Sequence, residues 1–135
     1  MEKTDVNALK MLFALGGSLF SFLFWEWSMS LKILVAVVTF DIITGILASS
    51  KTGKTNSKVG KKGIPRKVGI FVLVALATLV DRVVGSATPL VQTATIFWYV
   101  GNEGISVMEN LGKMGVPLPG PLKKALEQLK EVDSK

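Results

Sequence analysis

The 135-residue chain contains neither cysteine nor histidine. Disulfide bonds, thiolate metal sites, thiol nucleophiles and histidine general bases are therefore excluded, and with them most soluble hydrolase mechanisms. We expect no enzymatic activity, and no motif in the chain predicts a cofactor or a metal site.

Charge is also missing from long stretches, although the chain as a whole carries a net charge of +6. Residues 11–25, 68–80 and 83–102 have no charged side chain, and residues 33–50 have only Asp41. A helix at the surface of a small soluble protein keeps one polar face, whereas these stretches are apolar on all sides. The pattern is typical of helices that are solvated by lipid.

The lengths of these stretches predict an all-α integral membrane protein. A membrane-spanning helix needs about 20 mostly apolar residues. The predicted spans are approximately 8–27, 31–50, 66–86 and 90–109. They would form two helical hairpins, and the number of spans falls from four to three if the first or last segment lies on the membrane surface.

Two regions of different composition follow from this assignment. Residues 1–112 are predicted to form the transmembrane helical domain, and residues 113–135 a proline-containing linker and a cytoplasmic amphipathic tail. In the tail, the segment LKKALEQLKEV has apolar residues at helical spacing, namely Leu122, Leu126, Leu129 and Val132. We expect this helix to lie on the membrane surface or to pair with a second copy of itself.

The segment between the second and third predicted spans carries seven positive charges and no negative charge. Because small and polar residues separate the cations, residues 51–67 are predicted to form a mobile, solvated loop. Short basic loops stay in the cytoplasm, so this loop is expected to set the topology and to place both termini there. The topology-determining residues are Lys51, Lys54, Lys58, Lys61, Lys62, Arg66 and Lys67.

The same cations indicate an anionic partner. Nucleic acid is not expected, because no aromatic residue is interleaved with the lysines and apolar helices flank the segment. Anionic lipid headgroups are the partner that this combination favours.

Asp41 lies near the middle of the second predicted span. An ionised carboxylate at that depth costs about 2.5–3.5 kcal/mol on insertion scales, so it needs a partner, water or a proton. Two hypotheses have equal weight: Asp41 bonds to other helices within one monomer, or it lies on the wall of an aqueous path between copies. Gly45 and Ser49, one and two turns further, form a small-xxx-small pair that lets helices approach closely.

The fourth predicted span is the most polar. Asn102, Ser106 and Glu109 recur at intervals of four and three residues, and Glu103 borders this stripe. The stripe would be solvated at the cytoplasmic interface or would line a cavity. The candidate pore-lining or helix-packing residues of the chain are therefore Asp41, Gly45, Asp81, Asn102, Glu103, Ser106 and Glu109.

Together these features resemble a known family. Asp41 and Gly45 in one span, the basic segment with Ser57, Gly60 and Lys67, and the run NEGISVMENLGKMGVPLP over residues 102–119 are similar to the phage-lysis holin family, which also includes clostridial toxin-secretion holins. The resemblance covers about residues 31–130.

The resemblance implies a small phage or prophage protein of the bacterial cytoplasmic membrane. Such a protein accumulates, associates with copies of itself into a lesion, dissipates the membrane potential and releases an endolysin, which it does not need to contact. The residues alone leave two alternatives open, a small oligomeric ion or metabolite transporter and a membrane assembly scaffold.

Overall fold

The computed structural model describes residues 2–51 and 56–131, with side chains for residues 2–51 and 63–131. Within these ranges the chain forms helices and turns and no strand, which confirms the all-α prediction. The helices are α1 (Lys3–Phe24), α2 (Met29–Lys51), α3 (Asn56–Val83), α4 (Leu90–Lys113) and α5 (Gly120–Glu131).

Three helical segments of the described chain are long and apolar enough to cross a membrane. They are α1, α2 and the part of α3 from Gly63 to Val83. The fourth predicted span, α4, is not among these three, although it packs with α2 and α3 around the same core. Polar residues such as Gln92, Asn102 and Glu103 lower the hydropathy of α4, which explains why it is not among them.

The predicted loop over residues 51–67 is wrong for most of its length, because α3 begins at Asn56. The helix continues through Pro65 and Lys67, and the side chain of Lys67 is buried. The physical reason is that Lys67 finds anionic partners on two other helices, as described below. Lys54 lies outside the described residues, as do the side chains of Lys58, Lys61 and Lys62.

Helices α2 and α4 run in the same direction, and α3 runs antiparallel to both. Asp41 of α2 lies beside Asn110 of α4, and Lys51 at the end of α2 donates a hydrogen bond to the Met114 carbonyl at 2.8 Å. The buried apolar core between the three helices consists of Leu31, Leu34, Val38, Ile70, Val74, Ile96 and Val100. We call the end of the bundle with the α1–α2 and α3–α4 turns the turn end, and the opposite end the basic end.

Helix α1 has no buried residue and joins the bundle at the turn end. Arg82 of α3 donates hydrogen bonds to the backbone carbonyls of Ser21 and Phe22 at 2.8 and 2.9 Å. Its guanidinium also lies 4.6 Å from the centre of the Trp25 ring. A cation is favourable there because the last carbonyls of a helix lack intrahelical donors and carry partial negative charge.

Helix α5 packs against α4 of the same chain, a contact that the sequence does not predict. Its position on the membrane surface or against a second copy stays a prediction. A Cβ atom on Gly104 would lie 2.7 Å from Leu126 Cδ2, and one on Gly101 would lie 2.6 Å from the Leu126 carbonyl oxygen. At Gly101 only glycine permits this approach, because the close atom belongs to the backbone, whereas at Gly104 a larger residue would require the Leu126 side chain to move. The Lys130 ammonium lies 5.6 Å from the centre of the Trp98 ring, and Val132 lies outside the described residues.

The start of α4 is capped by a residue from another helix. Asp81 of α3 is fully buried and accepts hydrogen bonds from the backbone amides of Val91 and Gln92, at 2.9 and 2.8 Å. No side chain within α4 supplies such a cap. Asp81 thus satisfies two otherwise unpaired amides and places a negative charge at the positive end of the helix dipole.

We predict that Asp81→Ala lowers the free energy of unfolding by about 1–3 kcal/mol, because two buried amides lose their acceptor. Asp81→Asn keeps one carbonyl oxygen and should lose less. Unfolding in detergent micelles, followed by circular dichroism, measures both. The exposed Glu26 in the α1–α2 turn supplies the control Glu26→Ala, and equal losses for Glu26→Ala and Asp81→Ala would contradict the capping role.

Candidate functional site

A buried cation links the three central helices. Lys67 of α3 is 7% exposed, and its ammonium donates hydrogen bonds to the carboxylates of Asp41 on α2 and Glu103 on α4. Both carboxylates are buried as well. One side chain therefore joins α2, α3 and α4 at a single point.

Further polar groups complete this site. Arg66 donates a hydrogen bond to Glu103 Oε1 at 3.3 Å while its side chain stays 59% exposed. Asn110 donates to Asp41 Oδ1 and to Thr44 Oγ1, each at 3.1 Å. The side chain of Ser106 also lies near the carboxylate of Asp41. We call this group the charge cluster; it consists of Asp41, Thr44, Arg66, Lys67, Glu103, Ser106 and Asn110.

The charge cluster is formally neutral, since two carboxylates face one ammonium and one guanidinium. Among the residues with described side chains, no buried polar side-chain atom lacks a hydrogen-bond partner. A neutral and satisfied cluster avoids most of the cost of an isolated intramembrane charge. Removing one partner reverses that balance, because it leaves a buried charge uncompensated.

The structure separates the predicted site residues into two groups. Asp41, Glu103 and Ser106 come together in the charge cluster, and Gly45 lies next to it, where a Cβ atom would meet Asn110 Nδ2 at 3.6 Å. The other three lie elsewhere: Asp81 caps α4 at the turn end, Asn102 is half-buried on α4, and Glu109 is exposed.

Four members of the cluster were not among the predicted pore-lining or packing residues, namely Thr44, Arg66, Lys67 and Asn110. Arg66 and Lys67 were assigned to a solvated loop, and Thr44 and Asn110 were not selected. The spacing of Lys67, Ile70 and Val74 holds the signal that identifies Lys67, because intervals of three and four place it on the buried face of α3. Asn110 follows Ser106 by four residues, so the same rule extends the polar stripe of α4 to it.

We predict that Lys67→Met destabilises the bundle by about 3–5 kcal/mol, since it leaves Asp41 and Glu103 buried with Arg66 as their only described cationic partner. The double substitution Asp41→Leu with Lys67→Met removes charges of both signs, so its loss should be smaller than the sum of the two single losses. Unfolding in detergent micelles measures the loss of stability for Lys67→Met, for Asp41→Leu and for the double variant.

Lys113→Met is the matched control, because Lys113 is an exposed lysine at the end of α4. The idea that the cluster acts as a unit would be refuted if the double variant lost as much stability as the two single variants together. It would also be refuted if Lys113→Met lost as much stability as Lys67→Met.

Comparison with known proteins gives a family for this chain. The bacteriophage holin family matches over residues 18–131. An uncharacterized protein of Halalkalibacterium halodurans is 47% identical over 119 residues, which cover 85% of this chain and 88% of that protein. An uncharacterized 14.9 kDa protein of the nagH 3′ region of Clostridium perfringens is 35% identical, over 92% of this chain and 94% of that protein.

A more distant relative has a functional name. A probable holin of Bacillus phage phi105 is 32% identical over 89 residues, which cover 66% of this chain and 65% of that protein. No solved structure matches the chain. The family match covers α2 to α5 and the end of α1 from Ser18 onwards, and the apolar helices agree with a multi-pass membrane protein. The chain therefore belongs to the bacteriophage holin family.

Proposed function

We propose that this protein is a phage-type holin that oligomerises in the bacterial cytoplasmic membrane, dissipates the membrane potential and releases an endolysin to the cell wall. The observation that carries this proposal is the holin family match over residues 18–131. Three apolar helices of spanning length supply the membrane-inserted body that the activity requires. The endolysin is a functional partner, and direct contact with it is not needed.

The orientation follows from the distribution of cations. The segment 51–67, which joins α2 to α3 at the basic end, carries seven cations and no acidic residue, whereas the turn end has the exposed cations Lys32 and Arg82 together with the exposed Glu26. Because Lys and Arg stay on the cytoplasmic side, we place the basic end in the cytoplasm, next to anionic lipid headgroups. Helix α1 then crosses from a cytoplasmic N-terminus, and the C-terminal segment also begins on the cytoplasmic side.

In the monomer, the charge cluster has a packing role. Its two carboxylates are satisfied by Arg66 and Lys67 within one chain, so a single copy inserts without a net charge at mid-membrane. Once the protein reaches a critical density, exchange of these intramolecular contacts for contacts between copies would join subunits into the lesion. The stability of the cluster would then set how long the protein accumulates before it opens the membrane.

We predict abrupt and delayed loss of membrane potential when the protein is expressed in bacteria together with a cytoplasmic endolysin, followed by lysis that depends on the endolysin. A potential-sensitive dye and culture turbidity give the two readings. Gradual depolarisation without endolysin release would instead indicate a transporter. An unchanged potential at high abundance would indicate an assembly scaffold.

A second prediction concerns the timing of lysis. Asp41→Leu leaves Lys67 paired with Glu103 but removes one carboxylate, so it should change the delay or abolish lysis while the protein still accumulates. Thr39→Leu is the control, because Thr39 is an exposed polar residue of the same helix whose hydroxyl bonds the Val35 carbonyl within α2. Identical delays for Asp41→Leu, Thr39→Leu and the unaltered chain at equal abundance would count against the proposed role of the cluster.

A further inference from the structure

Helix α5 lies at the depth of the apolar spans. Three contacts with α4 show its direction. Leu118, just before α5, lies 3.3 Å from the position of a Cβ atom on Gly112. Further along, Leu126 fills the space beside Gly104, and the Lys130 ammonium lies over the Trp98 ring. From its first to its last residue, α5 therefore runs back along α4 from the basic end towards the turn end. Leu129 lines the same cavity as Ser30 and Ile33, which belong to the first turns of α2.

This position brings α5 far into the layer that the apolar helices define. Its twelve residues rise about 18 Å, which is more than half of a hydrocarbon core of about 30 Å. The neighbouring part of α2, from Ile33 to Lys51, belongs to the most apolar span of the chain.

The outward face of α5 does not suit hydrocarbon. Three exposed polar residues lie on one side of the helix, namely Lys124, Glu127 and Gln128. They share that side because the second and third follow the first by three and four residues. The opposite side carries Leu126 and Leu129, which face α4 and the core. Charged side chains at this depth are expected to face water or the interior of a bundle.

Helix α1 presents the contrasting surface. It has no buried residue, and large apolar side chains such as Leu12 and Phe13 are exposed along it. One subunit thus combines an apolar surface on α1 with a charged surface on α5, while α1 packs on α3 and α5 packs on α4. A protein that borders lipid on one side and water on the other at the same depth needs this combination.

We propose that the outward face of α5, with Lys124, Glu127 and Gln128, lines the water-filled opening that several copies of this chain make in the membrane. The inference rests on the proposed holin function and adds which surface of the subunit faces the opening. Helix α5 is held in that position by its close packing on Gly101 and Gly104.

The test uses the absence of cysteine from the chain. A nitroxide on Lys124→Cys or Glu127→Cys reports which medium surrounds α5, and one on Leu12→Cys reports the surface of α1. The full-length variants are reconstituted into phosphatidylglycerol and phosphatidylethanolamine vesicles loaded with a fluorescent protein. Collision rates with a water-soluble nickel chelate and with oxygen are measured, together with release of the cargo.

We expect nickel accessibility several-fold higher at the two α5 positions than at Leu12→Cys, where oxygen should dominate. Oxygen-dominated labels on α5 in vesicles that release their cargo would overturn the role of α5 and leave the holin function intact. Nickel-accessible labels on α5 in vesicles that never release cargo would refute the proposed function and not the water-facing position of α5.

A second set of variants tests whether α5 acts in its docked position. Gly104→Leu forces a side chain into the space of Leu126, and overpacking of this kind lowers the population of a packed state by about tenfold or more. Cargo release should fall accordingly, and the label on Glu127→Cys should become more mobile. Gly69→Leu is the control, because no atom lies within 4 Å of a Cβ on Gly69.

Adding Leu126→Ala to Gly104→Leu restores room for the new side chain, so it should recover part of the release, which general unfolding would not allow. If α5 instead lies free on the membrane surface, Gly104→Leu changes neither label mobility nor release, and that result overturns the proposal.

Discussion

A cation held between two carboxylates determines how the helices of this protein stand against each other. Lys67 reaches Asp41 on one neighbour and Glu103 on the other, so its position fixes the height and the rotation of α3 relative to both. A shift of α3 by one residue would turn the side chain by about 100° and leave three charges without partners in an apolar layer. The apolar core packs around this arrangement, but apolar contacts alone tolerate several registers, whereas the ion pairs allow one.

At the turn end, backbone groups are the polar groups that need partners in an apolar surrounding. The amides and carbonyls at helix ends have no intrahelical partner, so other side chains must bond to them where water is absent. The neighbours Asp81 and Arg82 supply them for two different helices, since adjacent residues of α3 point in different directions. The carboxylate of Asp81 accepts hydrogen bonds from the first amides of α4, and the guanidinium of Arg82 donates hydrogen bonds to carbonyls in the last turn of α1. Two consecutive residues thus hold the end of α1 and the start of α4.

The sequence predicts the helical class and three apolar helices of spanning length, and it selects Asp41 and Glu103 as candidate packing residues, because hydropathy and isolated charge are local properties. It misassigned Lys67, because a lysine among six other cations has the composition of a solvated loop, and its partners lie 26 and 36 residues away. The capping role of Asp81 depends on a turn that brings α4 back to α3. The docking of α5 depends on the approach of two backbones at Gly101 and Gly104, for which composition gives no distance. What could not be predicted is the three-dimensional register.

The charge cluster also has a consequence for the order of membrane insertion. A ribosome completes α2 before α3, so Asp41 is synthesised 26 residues ahead of Lys67, and Glu103 follows Lys67 after another 36 residues. Alone in the translocation machinery, α2 carries a carboxylate without a counter-ion, which makes its early release into lipid unfavourable. The first unit in which Asp41 has a counter-ion is the α2–α3 hairpin, because Lys67 belongs to α3. Biogenesis should therefore proceed by hairpins, with α2 retained until α3 arrives, and Glu103 completes the site by pairing with Arg66 and Lys67 once α4 has been made.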